Sequence, residues 1–374
     1  MSFSGSETKS SHAYRSLPES AFWRSAVAEK HLSDIGPLWV PKFPIFREDR
    51  VATFGSCFAQ HIGRALKARN YNWLDTEPPP PALSAKAAKE YNYQVFTCRT
   101  ANIYTTSLLL QWTQWSLGKA SVPSEMWVDK GRYYDPFRPT IEPNGFASAD
   151  ELLRMRAVTI EAFAEAIRSA NCFVFTLGLT ESWWNKREGY EYPTCPGTAV
   201  GVFDPEEHEF RNLQFSDVLN SLKAAIELIQ SANPKIKFVL TVSPVPLTAS
   251  NSGNHVLVAT MESKSILRAV AGQLARHRTN IVYFPSYEII NSPVTRGMFF
   301  EPNLRSISPM GVNFVMDRFF GRLQDVYGEG EQTQETPETE PPPKAQATQP
   351  TPPKAASQSD VVCEEELLDA FRPE

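Results

Sequence analysis

From residue 51 onward this sequence alternates segments that must be covered on both faces with segments that need covering on one. The runs 172–177, 238–242 and 281–284 are nearly continuously apolar and rich in Val, Ile and Phe. Between them apolar residues recur at helical spacing: Ile160, Phe163 and Ile167, then Val218, Leu222, Ile226 and Ile229, then Ile266, Val270 and Leu274. An earlier unit of the same kind joins Val51, Ala52 and Phe54 to Phe58, Ile62 and Leu66. A last helix opens at Ser308-Pro309, a capping residue followed by proline, and carries Val312, Val315, Met316, Phe319 and Leu323. Strands with no polar face need helices on both sides, so the pattern predicts a three-layer α/β/α sandwich with a mainly parallel sheet. Ligands of such sheets bind beyond the C-terminal ends of the strands. Those ends fall at 55–56, 178–181, 243–246 and 285–288, all polar or glycine-containing.

Three regions follow from the composition. Residues 1–48 read as an irregular N-terminal arm with a short helix near 19–31, held on the domain by Phe22, Trp23, Trp39 and Phe43. Residues 49–325 form the α/β domain. Within it, Trp127, Tyr133, Tyr134 and Asp135-Pro136-Phe137-Arg138-Pro139 belong to a long loop that could cover a site. Residues 326–374 are a Pro/Glu-rich tail, expected to be disordered and dispensable for folding. Near its end Val362, Leu367, Leu368 and Phe371 alternate with Glu364, Glu365 and Glu366, the pattern of a short acidic amphipathic helix and a candidate dock for a protein partner.

The chain has 374 residues, 42% of them hydrophobic, enough for a substantial core. A net charge of −5 gives no argument for a nucleic-acid partner. No run approaches ~20 apolar residues, so no membrane span is expected. Residues 1–17 lack a secretory apolar stretch. Cys57, Cys98, Cys172, Cys195 and Cys363 are scattered without metal-ligand spacing. Reduced thiols, a cytoplasmic location, and no metal or cofactor are the expectation.

Chemistry points to Phe54-Gly55-Ser56-Cys57-Phe58-Ala59. A serine between a strand and a helix can project its hydroxyl from the sheet edge, with the first helical N–H groups beside it. Ser56 is therefore the candidate nucleophile, ahead of its neighbour Cys57. A serine also needs a base. His255 follows the third strand end by a short polar loop that can return over the crevice. Glu181 stands beside Gly178 after a buried strand, where desolvation raises a carboxyl pKa. His61, five residues beyond Ser56, points away along the helix. Trp183 is a candidate apolar wall, and Lys264 a candidate anchor for a substrate anion.

Gly55-Ser56-Cys57-Phe58-Ala59 spells the motif of the GSCFA family, which looks like a branch of the SGNH/GDSL hydrolase superfamily. The resemblance runs over about 16–323. It includes Gly178-Leu179-Thr180-Glu181-Ser182-Trp183, Thr241-Val242-Ser243-Pro244-Val245, Ser263-Lys264, Phe284-Pro285-Ser286-Tyr287-Glu288 and the Asp135–Pro139 block. It implies a flavodoxin-like sandwich of the SGNH-hydrolase type and a serine hydrolase acting on ester bonds, an O-acyl esterase whose substrate is a small-molecule or carbohydrate ester. It further implies Ser56 as nucleophile, with the Ser56 and Gly178 N–H groups holding the oxyanion. Thr180 stands near the place of the superfamily's asparagine donor. The late Asp-x-x-His pair is replaced by Asn303 and Ser306, neither of which can do its work. An O-acyltransferase on the same scaffold and a catalytically inactive binding protein remain the alternatives.

Overall fold

The computed structural model describes residues 12–328 and 361–372. In chain order the strands are β1 (Val51–Gly55), β2 (Trp127–Asp129), β3 (Arg132–Tyr134), β4 (Cys172–Leu177), β5 (Glu181–Asn185), β6 (Glu191–Tyr192), β7 (His208–Asn212), β8 (Lys237–Val242) and β9 (Ile281–Phe284). The α-helices are α1 (Phe58–Ala68), α2 (Ala85–Glu90), α3 (Thr106–Ser116), α4 (Ala149–Ser169), α5 (Phe215–Ala232), α6 (Val256–His277), α7 (Ser286–Asn291) and α8 (Pro309–Tyr327).

β1, β4, β8 and β9 pair in that order, all parallel. On the free edge of β1, Trp73 makes a single parallel bridge to Val51. With Trp73 as a rudimentary second strand, the spatial order is second, first, third, fourth, fifth, the flavodoxin-like winding.

Side chains alternate across the sheet as a period of two demands. Phe54, Phe173, Phe175, Phe238 and Leu240 face one core, filled from the other side by α3, α4, α5 and α6 through residues such as Trp112, Phe163, Leu222 and Leu267. Val51, Val174, Val239, Val282 and Phe284 face the opposite core, with Ile62 of α1 and Val315 and Phe319 of α8. The protein is thus a three-layer α/β/α sandwich.

The arm supplies part of the second core. Trp39, Phe43 and Ile45 are buried, and the Trp39 ring stacks on Phe319 with centroids 5.0 Å apart. The helix expected near 19–31 is instead two short turns, Glu19–Ala21 and Arg24–Ala28, with no buried residue in either. Without packing, so short a segment cannot offset the cost of nucleating an α-helix. Residues 1–11 lie outside the described residues.

The aromatic loop is structural. Its Asp135 carboxylate receives Arg138 at 2.7 Å and Arg156 at 3.0 Å, and all three side chains are essentially buried. Phe137 lies beneath them, completely covered. Trp127 packs on Tyr192 rather than standing free as a platform for a sugar. A small antiparallel sheet, β6-β5-β7, follows the end of β4 directly and was not foreseen from the sequence. The last helix runs to Tyr327, across the expected boundary at 325. Among the described residues no helix is long and apolar enough to cross a membrane.

Two stability predictions follow. Gly55 has φ +127°, and a Cβ there would lie 2.2 Å from the Thr176 carbonyl oxygen. Gly55→Ala is expected to cost about 2–4 kcal/mol in urea unfolding. Asp135→Ala strands two buried guanidinium groups and should cost about 3–5 kcal/mol. Burial pushes the Asp135 pKa up, but Arg138 and Arg156 outweigh it and hold the carboxyl below its usual value. Its contribution is therefore complete above the unfolded carboxyl pKa and lost as pH falls through the lower folded value. The stability gap between wild type and Asp135→Asn should stay constant near neutrality and close only in strong acid.

Candidate active site

The sheet's winding reverses between β1 and β4, and ligands of such sheets gather at that switch point. Ser56 leaves β1 there. The Ser56 N–H donates to the Thr176 carbonyl at 3.0 Å, which fixes the turn into α1. Gly178 leaves β4 alongside. A Cβ on Gly178 would sit 3.2 Å from the Ser56 Cβ and 2.9 Å from the Tyr104 carbonyl oxygen, so only glycine permits this approach. Ser56 is 2% exposed, and its Oγ has no hydrogen-bond partner among the described residues. A buried hydroxyl without a partner is costly and calls for an explanation.

The expected oxyanion donors are otherwise engaged. The Ser56 N–H serves Thr176, and the Gly178 N–H donates to the Tyr104 carbonyl at 2.9 Å. The Thr180 hydroxyl donates to Asn212 Oδ1 at 2.7 Å, and its N–H to Ser263 Oγ, tying β5 to β7 and α6. The open first turn of α1 presents the N–H groups of Cys57 and Phe58 instead, which helix geometry leaves without intrahelical acceptors.

Neither expected base reaches the serine. His255 is exposed and caps α6, its Nδ1 accepting the Leu257 N–H at 3.2 Å. The polar loop before it stays a loop, and α6 begins immediately after His255. Glu181 accepts the Ser250 hydroxyl at 2.5 Å and the Asn251 N–H at 3.0 Å, so it latches the same loop. Burial raises its pKa against those hydrogen bonds. Trp183 lies in the small sheet, its ring against Phe203 and Phe210. His61 sits on α1 against Phe58; burial, with Arg64 nearby, pushes its pKa down to about 3 and keeps it neutral.

Lys264 does approach the serine turn. Expected as a substrate anchor, it is 2% exposed, and its Nζ donates to the Gly178 carbonyl at 2.5 Å. Burial pulls its pKa down to about 8, against the pull of the nearby Glu365 carboxylate. Lys264 and Ser56 thus meet at Gly178, with no direct bond between the amine and the Ser56 hydroxyl.

The crevice above this cluster is filled by the chain's own C-terminal segment, which corrects the expectation of a free tail over those residues. Val362 pairs its backbone with the Gln60 amide, giving N–H to Oε1 at 3.0 Å and accepting from Nε2 at 2.6 Å. The Asn102 amide also donates to the Val362 carbonyl, at 2.9 Å. The Glu364 carboxylate accepts from Asn102, from the Tyr104 hydroxyl at 2.9 Å and from Thr140 at 3.1 Å. Glu365 accepts the Thr248 N–H at 2.7 Å and faces Arg305 at 3.4 Å. Arg305 also reaches Glu366 at 3.0 Å. Cys57 and Cys363 are neighbours on one small cavity, and their interaction raises the pKa of the first and lowers that of the second. From Glu364 to Phe371 the segment is a 3-10 helix, not an α-helix. Residues 329–360 of the tail lie outside the described residues.

The degenerate late block acquires a role here. Asn303 accepts the N–H groups of Arg305 and Ser306 and donates to the Ser306 hydroxyl at 2.9 Å. This closed turn holds Arg305 toward the segment. The sequence flagged positions 303 and 306 as lost machinery; the residue between them is the one that acts.

Among curated proteins none matches the chain in sequence. One solved structure, provisionally assigned as a platelet activating factor from Streptococcus pneumonia, is 11% identical, with a TM-score of 0.26 over 41% of this chain and 60% of that one. The sequence profile of the GSCFA family matches residues 50–319, from the start of β1 into α8 and through every element that builds the crevice except the C-terminal segment. The chain belongs to the GSCFA family.

Proposed function

We propose that this protein is a serine hydrolase acting on ester bonds, with Ser56 as nucleophile and Lys264 as its base. The observation that carries this reading is the buried, unpartnered Ser56 hydroxyl on a strand-to-helix turn, beside a buried amine held on the Gly178 carbonyl. A lysine with a lowered pKa has a lone pair available near neutral pH, and serine–lysine pairs are a recurring solution to the same chemistry. On this reading the family is a branch of the SGNH/GDSL hydrolases in which the base has moved from the late block to α6.

The steps use only groups in the cluster. Ser56 Oγ attacks the ester carbonyl carbon while its proton passes to Lys264 Nζ. The oxyanion is held by the Cys57 and Phe58 N–H groups, helped by the partial positive charge at the start of α1. As the C–O bond breaks, Lys264 returns the proton to the departing alcohol. Water, activated by the same amine, then releases the acid and restores Ser56. An alcohol in place of that water makes the same cycle an acyl transfer.

The occluded crevice supports a second reading, a binding protein without turnover. Fluorophosphonate labelling separates the two. Ser56 should take the label, and Ser56→Ala should lose both label and hydrolysis of 4-nitrophenyl acetate; equal inertness of the two proteins would leave the binding reading. Lys264→Met should lower kcat about 10²–10⁴-fold, and His255→Ala should leave it unchanged. Because the amine acts unprotonated, kcat/KM should rise with pH, half-maximal near the Lys264 pKa of about 8.

A further inference from the structure

The crevice is built to take carboxylates. Asn102 and Tyr104 are 1% and 3% exposed, and both aim donors at Glu364. Arg305 and the Thr248 N–H take Glu365, with the Lys264 charge close behind. Glu364 and Glu365 are themselves 2% and 9% exposed, on a segment whose apolar Leu367 and Phe371 stay exposed. The usual logic of a docked tail is inverted: the acids are buried and the large apolar side chains face water. Burying two carboxylates is unfavourable unless fitted donors receive them. The fitted donors come from separate parts of the domain: Asn102 and Tyr104 before α3, Thr140 after β3, Thr248 after β8 and Arg305 before α8.

We propose that the crevice beside Ser56 is a carboxylate-binding site for small acidic ligands, and that residues 361–366 occupy it as an internal substitute for such a ligand. A ligand and the segment exclude one another there. Without either, Arg305 and Lys264 lose their counter-ions in a poorly hydrated cleft, so the site favours an anion over an empty state. Where the Ser56 reading also holds, the ester substrate carries a carboxylate on its acyl or alcohol portion.

The test uses the full chain and reads no turnover. In the closed state Cys57 and Cys363 line the same small cavity as neighbours. Diamide, an azo oxidant that accepts two electrons and two protons, should convert them to a disulfide found by mass spectrometry as one linked peptide pair. The double substitution Glu364→Gln and Glu365→Gln, and separately Arg305→Gln, should slow that cross-link at least about tenfold, a loss of about 1.4 kcal/mol in docking. The double variant should also melt at a lower temperature than wild type. Succinate should raise its melting temperature and neutral succinamide should not; adding Arg305→Gln should abolish the rescue. Absence of the linked pair in native protein would overturn the docking. A cross-link indifferent to all these substitutions, or equal effects of succinate and succinamide, would overturn carboxylate recognition. Ser56→Ala should match wild type in every arm, so failure here is distinguishable from failure of the hydrolase reading.

Discussion

Everything at the functional edge depends on how closely β1 and β4 approach as they end. Parallel strands normally diverge into loops at their C-terminal ends. Here the Ser56 N–H still bonds the Thr176 carbonyl, one residue past the last ladder pair, Gly55 opposite Thr176. Two glycines make this possible: Gly55 in a backbone conformation closed to other residues, and Gly178 with no side chain to strike Ser56. The serine is held by this steric fit and by the register of the sheet. The hydroxyl is left without a bond while the Gly178 N–H and the Thr180 hydroxyl are committed elsewhere.

Buried charge is the second organising element. The Asp135–Arg138–Arg156 cluster fixes the long loop after α3, and Arg99 joins Glu77 and Glu142 beside it. Fixing that loop places Thr140 at the crevice. A segment that the sequence offered as a cover for a site is thus part of the framework. Ion pairs this deep contribute little net stability, yet each partner is indispensable once the other is present.

The sandwich was legible because its signals are periodic. Runs such as 172–177 admit no solvated face, and Ser148 and Ser308 mark helix starts that the structure keeps. The proposed nucleophile was legible because the strand-to-helix turn is local in sequence. The base was not. Lys264 reads as an anchor for a substrate anion, and only the tertiary fold turns it inward onto Gly178. His255 looked better placed because a polar loop precedes it, but capping α6 claimed its ring. The C-terminal segment was misread for a related reason. Its Leu and Phe spacing suggested an apolar dock, whereas its acids make the contact, with partners some 60 to 260 positions away that no local pattern connects.

The docked segment has a quantitative consequence. Because it belongs to the same molecule, its supply at the crevice does not dilute with the protein. Tethered groups of this kind act at local concentrations on the order of millimolar. Any diffusible acid entering the cleft competes with that fixed supply, so its apparent affinity is its intrinsic affinity multiplied by the fraction of molecules that stand open. Occupancy would then respond to abundance above a threshold set by the chain itself, and trace amounts of a well-fitting compound would leave the cleft shut.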